Sequence, residues 1–308
     1  MRRTSSQAGF SLPELMIAMA IMLAISGAAV SALLKMTSTQ ATVWNRTQMH
    51  SGIRGATEVL QQEVGQAGRI TLPTRVTLTA PSTSGTAPTL TVSSTSGMFV
   101  GEKLVIDTGD ALESVVVATI PSSTTITVNS TTSGRTVAAH NATVPVQVFG
   151  GFSSGIVPTT TTNGSTGSIL KLFGDINADG NMVYIEYTCD TTNHNLYRNV
   201  MAWNAAGPSA APAASQILLS NIIANPNGTD CFTYQTATVS GTTFVTDVAI
   251  TLTVQTQLID PITKQYQTET KALLNVSPRN VFNAWLLASL GINDRIQPMP
   301  PSITALLP

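Results

Sequence analysis

The sequence is poor in charged residues, in histidine and in cysteine, and each shortage argues against a class of function. Only 10% of the 308 residues are charged, and the formal net charge at pH 7 is -1. This composition offers no broad electrostatic attraction for nucleic acid. Three histidines in unlike segments and two lone cysteines make a poor zinc site. Known motifs of nucleophilic and phosphate-binding sites are also missing, so we predict that the protein is not an enzyme.

One long apolar run is present, at residues 15–34, and it contains no charged side chain. As a helix it is long enough to cross a hydrocarbon layer of roughly 30 Å. Arg2 and Arg3 precede the run, and Lys35 follows it. The positive-inside bias therefore predicts a short cytoplasmic end before the run and a position outside the cytoplasm for everything after Lys35.

A single carboxylate, that of Glu14, stands at the start of this apolar run. One interpretation of the segment is a secretory signal peptide, with a cleavage site in the small residues GAAVSA at 27–32. Another is a plain single-pass anchor. Neither explains Glu14, because an ionisable group in a membrane segment is costly and usually implies a partner.

The pair Gly9-Phe10, followed by Glu14, resembles the N-terminus of the type IV prepilin family. In that family a leader peptidase cuts after the glycine, the new terminal phenylalanine is N-methylated, and a glutamate is the fifth mature residue. The resemblance implies that a leader, residues 1–9, is removed on the cytoplasmic side. It further implies that the new amine of Phe10 pairs with Glu14 of its own or a neighbouring chain, where apolar surroundings strengthen the attraction. One departure is Ser31, which stands where major pilins often have a proline.

The same resemblance implies a set of partners and a location. The partners are the prepilin peptidase, other pilins or pseudopilins that contact the helix, and an inner-membrane assembly platform. Nucleic acid is not expected among them. The implied location is the bacterial inner membrane with the head in the periplasm, followed after assembly by an extracellular pilus or a periplasmic pseudopilus.

The helix is predicted to continue past the membrane and to span residues 10–70. Apolar residues recur at steps of three, four or seven, which indicates one stripe that packs on the rest of the chain. The stripe consists of Met36, Val43, Met49, Ile53, Ala56, Leu60, Val64 and Ala67. The helix should end near Gly68–Ile70, because glycine is favoured just past a helix end and Pro73 cannot continue it. Residues 58–70 resemble the end of this stem in minor pilins of the W type.

After the helix the composition changes to short alternating β runs, so the predicted fold class is α+β. Residues 75–149 are predicted to form a small all-β module inserted between the helix and a pilin-like head. Within this module, His140 is predicted to be an incidental surface or turn residue. Residues 150–168 are predicted to be a flexible low-complexity linker. Residues 169–280 are predicted to be the antiparallel β head.

Residues 175–186, DINADGNMVYIE, match the calcium-loop pattern of oxygen ligands. The candidate ligands are Asp175, Asn177, Asp179, the backbone carbonyl of Asn181, and Glu186. Gly180 permits the turn that would bring these oxygens together. An Asp-Gly hairpin turn is the alternative, because the residues after the loop have the pattern of a strand instead of a helix. Calcium is the only cofactor that the sequence suggests.

The two cysteines, Cys189 and Cys231, are predicted to form a disulfide. A segment outside the cytoplasm favours pairing of an even cysteine count. The bond would close a loop of about forty residues and contribute about 3–4 kcal/mol by the chain-entropy model.

The last segment, residues 281–308, is predicted to be a tail that begins with a short helix. One face of that helix would carry Phe282, Trp285, Leu286 and Ser289. This face would either pack on the head or remain exposed for a partner pilin.

We therefore predict a minor pilin-like structural subunit that takes part in priming or tip assembly of a type IV pilus. The strands of residues 168–280 also resemble those of J-type pseudopilins of type II secretion, which is the main alternative. An alternative from another class is a membrane-anchored adhesin or binding module that uses residues 75–149.

Overall fold

The computed structural model describes residues 9–207 and 212–307, and the fold class is α+β, as predicted. The chain forms two compact units. One contains the helix up to Ser51 together with residues 255–268, and the other contains residues 52–254 and the residues from Glu269 onward. Residues 1–8 of the predicted leader lie outside the described residues.

The long helix α1 spans Leu12–Gln66 and has 55 residues. Its only proline, Pro13, lies in the first turn, where no intrahelical hydrogen bond is lost. The helix ends a few residues earlier than predicted, and Gly68 follows in the left-handed conformation at φ +80°. The carbonyls of Gln66 and Ala67 accept hydrogen bonds from the Asn280 amide at 3.0 and 3.3 Å. These bonds satisfy the carbonyls that a helix end leaves unpaired.

The apolar stripe of α1 is confirmed for its second half and wrong for its beginning. Six of the predicted members are buried: Met49, Ile53, Ala56, Leu60, Val64 and Ala67. Met36 and Val43 are exposed. The helix is thus exposed on all sides up to residue 37, and one of its faces becomes buried from Asn45 onward.

Residues 76–148 form one six-stranded sheet with a core of its own. Its strands are β1 (Val76–Thr77), β2 (Thr89–Thr91), β3 (Lys103–Ile106), β4 (Glu113–Ser122), β5 (Thr125–Ser130) and β6 (Pro145–Val148). The sheet order is β1-β6-β3-β4-β5-β2, and its interior is filled by aliphatic side chains. The two outer strands, β1 and β2, are also joined by backbone hydrogen bonds where they end. Leu78 pairs with Val92, and the Ser93 N–H donates to the Thr77 carbonyl at 2.9 Å. The sheet therefore closes into a small barrel.

Two further antiparallel sheets follow. The first has the order β11-β10-β9-β8 and consists of β8 (Ile169–Gly174), β9 (Val183–Asp190), β10 (Asn195–Ala202) and β11 (Ile217–Ser220). The second has the order β12-β14-β13, with β15 on β14, and consists of β12 (Ile222–Ile223), β13 (Phe232–Val239), β14 (Thr242–Gln255) and β15 (Thr268–Val276). A disulfide from Cys189 in β9 to Cys231, directly before β13, joins the two sheets.

The segment after the barrel is buried, so the prediction of a flexible linker at 150–168 is wrong for its first part. Strand β7 (Gly151–Phe152) pairs in parallel with β16 (Ile296–Gln297), and Phe152, Ile156 and Val157 are fully buried. Glycine serves close packing here, since a Cβ at Gly155 would lie 2.1 Å from the Cα of Gly68.

The C-terminal segment contains two short helices, α2 (Arg279–Ser289) and α3 (Pro301–Leu306). Helix α2 packs through Val281, Ala284 and Ala288. Phe282 and Leu286, which belong to the predicted apolar face, are exposed. The helix therefore packs through small residues, and part of its aromatic face points outward.

Candidate processing and assembly site

The N-terminal site consists of Gly9, Phe10 and the first turn of α1. The Phe10 side chain is 87% exposed, and a Cβ at Gly9 would meet no atom within 4 Å. The Glu14 carboxylate accepts hydrogen bonds from the Ser11 N–H at 3.3 Å and the Ser11 hydroxyl at 3.2 Å. Glu14 thus satisfies a free backbone donor at the start of the helix, where the helix dipole also favours a negative charge.

This geometry suits a site of chain cleavage followed by assembly. The peptide bond after Gly9 precedes the helix, which begins at Leu12, so a peptidase can reach it without unwinding regular structure. Cleavage there would create an amine on Phe10, close to the positive end of the helix dipole. The exposed carboxylate of Glu14 is the nearest group in the sequence that can neutralise that amine.

The first half of α1 has the properties of a membrane span. The helix is long and apolar enough to cross a membrane, and none of the residues in its most apolar window is buried. All residues from 9 to 37 are exposed. Large apolar side chains that face outward in all directions lose their contact with water when the helix enters lipid or packs among other helices.

A buried ion pair that the sequence analysis missed joins the second half of α1 to the adjacent sheet. The single Nε–H of Arg198 donates a bifurcated hydrogen bond to the two oxygens of the Glu63 carboxylate, at 3.1 and 3.2 Å, and Nη2 donates another to Oε1. The Tyr187 hydroxyl also donates to Glu63. Burial, together with the charge of Glu63, raises the pKa of Tyr187, so its hydroxyl stays a donor. The sequence does contain one indication of this ion pair. Glu63 lies three residues after Leu60, on the helix face of the apolar stripe, and a carboxylate there needs a partner.

The aspartate-rich loop connects the antiparallel strands β8 and β9, as the hairpin alternative predicts. Asp175 is buried, its Oδ1 accepts the Asp179 N–H at 3.0 Å, and its Oδ2 lies 3.5 Å from Nε of Arg69. Asp179 in turn accepts the Asn181 N–H at 2.9 Å. Ala178 and Gly180 both have positive φ and form the tight part of the turn.

The last candidate calcium ligand, Glu186, lies on β9 and has other partners. It accepts a hydrogen bond from the Tyr184 hydroxyl at 2.9 Å and lies 3.6 Å from Nζ of Lys171. Among residues 9–207 and 212–307, no three or more His, Cys, Asp or Glu side chains are grouped to hold a metal ion. Asn177 and Asn181 lie in the loop, whereas Glu186 lies on β9. Calcium binding that uses Glu186 would therefore require this side chain to leave its present partners. It stays a prediction.

Two ionisable groups of the barrel, His140 and Glu102, are buried. The prediction that His140 is an incidental surface or turn residue is therefore wrong. Its Nδ1 lies 3.2 Å from Asp107 and its Nε2 lies 3.2 Å from Glu113. The pKa of Asp107 is lowered by hydrogen bonds from the Thr108 N–H and from His140. Glu102 is fully buried and accepts a hydrogen bond from the Phe99 N–H at 3.3 Å, and burial raises its pKa to about 8.

Comparison with known proteins identifies the N-terminal site. Residues 4–30 match the family described as "Prokaryotic N-terminal methylation motif". No curated protein and no solved structure matches the chain. The chain thus carries a type IV prepilin-like N-terminus, as predicted, and the matched residues include Gly9, Phe10 and Glu14, whose individual roles stay predictions. The comparisons do not distinguish a minor pilin from a J-type pseudopilin.

Proposed function

We propose that the protein is a minor pilin-like subunit that takes part in the priming or tip assembly of a type IV pilus. The observation that carries this proposal is the methylation motif at residues 4–30, followed directly by a helix whose side chains are exposed from residue 9 to 37. Such a helix needs an apolar partner, first the membrane and then the stems of other subunits.

In this proposal the prepilin peptidase removes residues 1–9, and Phe10 becomes the methylated N-terminus in the inner membrane. Glu14 then pairs with the amine of its own chain or of a neighbour. Because a buried charge without a partner is strongly unfavourable, this pair fixes the axial register between adjacent stems. The β-rich part is held outside the cytoplasm, where the disulfide between Cys189 and Cys231 is stable.

The tip or priming position is proposed from the size of the β-rich part, which includes a six-stranded barrel in addition to two four-stranded sheets. A bulky head is easier to accommodate at an end of a filament than at every position along it. Even distribution of the subunit along purified filaments, measured by immunogold labelling, would contradict this assignment.

The experiment that tests the proposal is intact mass measurement and N-terminal sequencing of membrane-extracted protein. We expect the wild type to begin at methylated Phe10 and Gly9→Ala to keep residues 1–9. Gly27→Ala is the matched control, because Gly27 belongs to the competing signal-peptide site and a Cβ there also meets no atom within 4 Å. Cleavage near Ala32, or an uncleaved wild type, would exclude prepilin processing.

Deletion of the gene distinguishes the two machines that use this kind of N-terminus. Loss of surface pili with normal secretion supports the minor pilin. Loss of secretion with normal pili supports the pseudopilin of a type II secretion system. Complementation with a Glu14→Gln variant should restore processing but not assembly, which separates the role of this carboxylate from that of the cleavage site.

A further inference from the structure

The connection between β14 and β15, residues 257–266, exposes an unusual number of large apolar side chains; we name it the apolar loop. Leu258 is 63% exposed, Ile259 51%, Ile262 58% and Tyr266 48%. Four such side chains within nine residues are not the isolated surface apolar residues that most proteins tolerate. The apolar loop belongs to the same compact unit as the helix up to Ser51.

Two side-chain contacts show where the apolar loop lies along α1. Asp260, within the loop, lies near Thr42 and Arg46 of the helix, and its pKa is lowered by the N–H groups of Thr263 and Ile262 together with these two side chains. Gln267, at its base, accepts a hydrogen bond from Nε of Arg46. Because Thr42 precedes Arg46 on the helix, the loop extends from its base toward the N-terminal, apolar part of α1. Thr42 is eight residues past Leu34, or about 12 Å along a helix.

The internal hydrogen bonds of the apolar loop bury its one carboxylate, while its apolar side chains stay exposed. Asp260 is buried, and its Oδ1 accepts the N–H groups of Ile262 and Thr263 at 2.7 and 2.8 Å. Its Oδ2 accepts a hydrogen bond from the Gln267 amide. The exposed ionisable side chains of the loop are therefore Lys264 and Tyr266, and no exposed carboxylate accompanies them.

We propose that the apolar loop is a second membrane contact, which lies in the headgroup region of the leaflet from which α1 emerges. Aliphatic side chains with a tyrosine and a lysine are the combination that favours this region, since the ring and the ammonium stay near the phosphates while the aliphatic groups reach the acyl chains. The interfacial layer adds about 5–8 Å to each side of the hydrocarbon core, so Thr42, about 12 Å past Leu34, lies a few Å beyond this layer, and side chains of a loop that extends toward the N-terminal part of α1 can reach it. This inference rests on the proposed membrane-anchored state of the subunit.

The test uses the full chain at a low protein-to-lipid ratio in vesicles of phosphatidylethanolamine and phosphatidylglycerol. Three single variants, Ile262→Cys, Leu23→Cys and Leu290→Cys, are labelled with a polarity-sensitive fluorophore; the native cysteines are disulfide-bonded and do not react. Leu290 is the matched control, an apolar side chain that is 67% exposed and lies outside the apolar loop. Leu23 reports the membrane span itself.

We expect the probe at position 262 to show a blue shift and to be quenched by lipids brominated near the headgroup, while the probe at 290 shows neither. The probe at 23 should be quenched by lipids brominated deep in the acyl chain. If the probe at position 23 is quenched and the probe at 262 behaves like the one at 290, the membrane contact of the apolar loop is excluded and the proposed membrane anchoring by α1 stands. If the probe at 23 is not quenched, the proposed anchoring is itself wrong.

A second variant separates lipid contact from contact with protein. With the probe moved to Ile259→Cys, the additional changes Leu258→Asp and Ile262→Asp should abolish quenching by brominated lipid. A blue shift at 262 that brominated lipid does not quench would mean that another protein surface covers the loop, and would overturn the proposal.

Discussion

Glu63 of the stem helix and Arg198 of strand β10 form a hydrogen-bonded ion pair, although they are 135 residues apart in the sequence. The carboxylate is buried and the guanidinium is mostly buried. The pair fixes the rotation of the last part of α1 against the sheet, because a buried carboxylate tolerates few other positions.

Breaking this pair should destabilise the protein. Replacing Glu63 with alanine leaves Arg198 and the Tyr187 hydroxyl without their acceptor, and we expect a loss of about 2–4 kcal/mol after allowing for the partial exposure of Arg198. Thermal unfolding of detergent-solubilised protein, followed by circular dichroism, measures the effect. The control is Glu58→Ala, whose partner Arg54 is exposed on the same helix, and it should have no measurable effect. If the two substitutions lowered the stability by equal amounts, burial of the Glu63–Arg198 pair would not be what makes it stabilising.

The buried Glu102 predicts a pH dependence of the barrel. The unfolded chain releases this proton near the ordinary pKa of 4.5, and the folded protein only near pH 8. The unfolded state therefore binds fewer protons between these values. The free energy of unfolding falls as the pH rises through this window, by at most ~1.4 kcal/mol per pH unit.

Glu102→Gln should remove this contribution. We expect the variant to gain stability relative to the wild type as the pH rises from 5 to 8, about the window between the two pKa values. Melting temperatures at several pH values measure the difference. Asp110→Asn replaces an exposed acid of the same barrel, and its melting temperature should change with pH in the same way as that of the wild type. A constant difference between wild type and Glu102→Gln across this range would contradict the assignment.

His140 should contribute to barrel stability through both of its carboxylate partners. Its replacement by alanine leaves Asp107 and Glu113 without this donor, and a loss of about 1–3 kcal/mol is expected for a buried hydrogen-bonded side chain. The double variant His140→Ala/Asp107→Ala should lose less than the sum of the single variants, because the two residues share one interaction. Strict additivity in a chemical denaturation series would show that the contact contributes nothing.

Calcium binding by the aspartate-rich loop is tested by the melting temperature with millimolar calcium and with a chelator. If the ion binds at the affinity of extracellular modules, about 10⁻⁴–10⁻³ M, the wild type should be stabilised. Asp179→Ala, which removes a ligand oxygen that the calcium-loop pattern requires, should lose this response, while Asp190→Ala, at the opposite end of strand β9, should keep it. No response in the wild type would leave the loop as a hairpin turn alone.

The N-terminal part of the molecule was predictable because its signals are local in sequence. A glycine, a phenylalanine and a glutamate at fixed spacing before twenty uncharged residues indicate the motif at residues 4–30 without any tertiary contact, and the roles of the three residues stay predictions. The pairing of Cys189 with Cys231 was predictable for a different reason, since two cysteines allow only one intramolecular bond.

Other features depend on contacts between distant residues, and composition alone indicated them poorly. Gly155 and its neighbours suggested flexibility, whereas the structure uses the missing Cβ to bring two backbones together. His140 gave no sign of its two partners, because Asp107 and Glu113 are 33 and 27 residues away. Met36 and Val43 continue the apolar periodicity of the stem, but nothing in that periodicity marks where the covered part of the helix begins.

The bonds between Leu78 and Val92 and between Ser93 and Thr77 affect how the barrel can interact with other copies of the protein. An open six-stranded sheet would present two rows of unpaired amides and carbonyls, which can recruit strands from adjacent copies. Because the ring is complete, the barrel offers no such template when copies are crowded together.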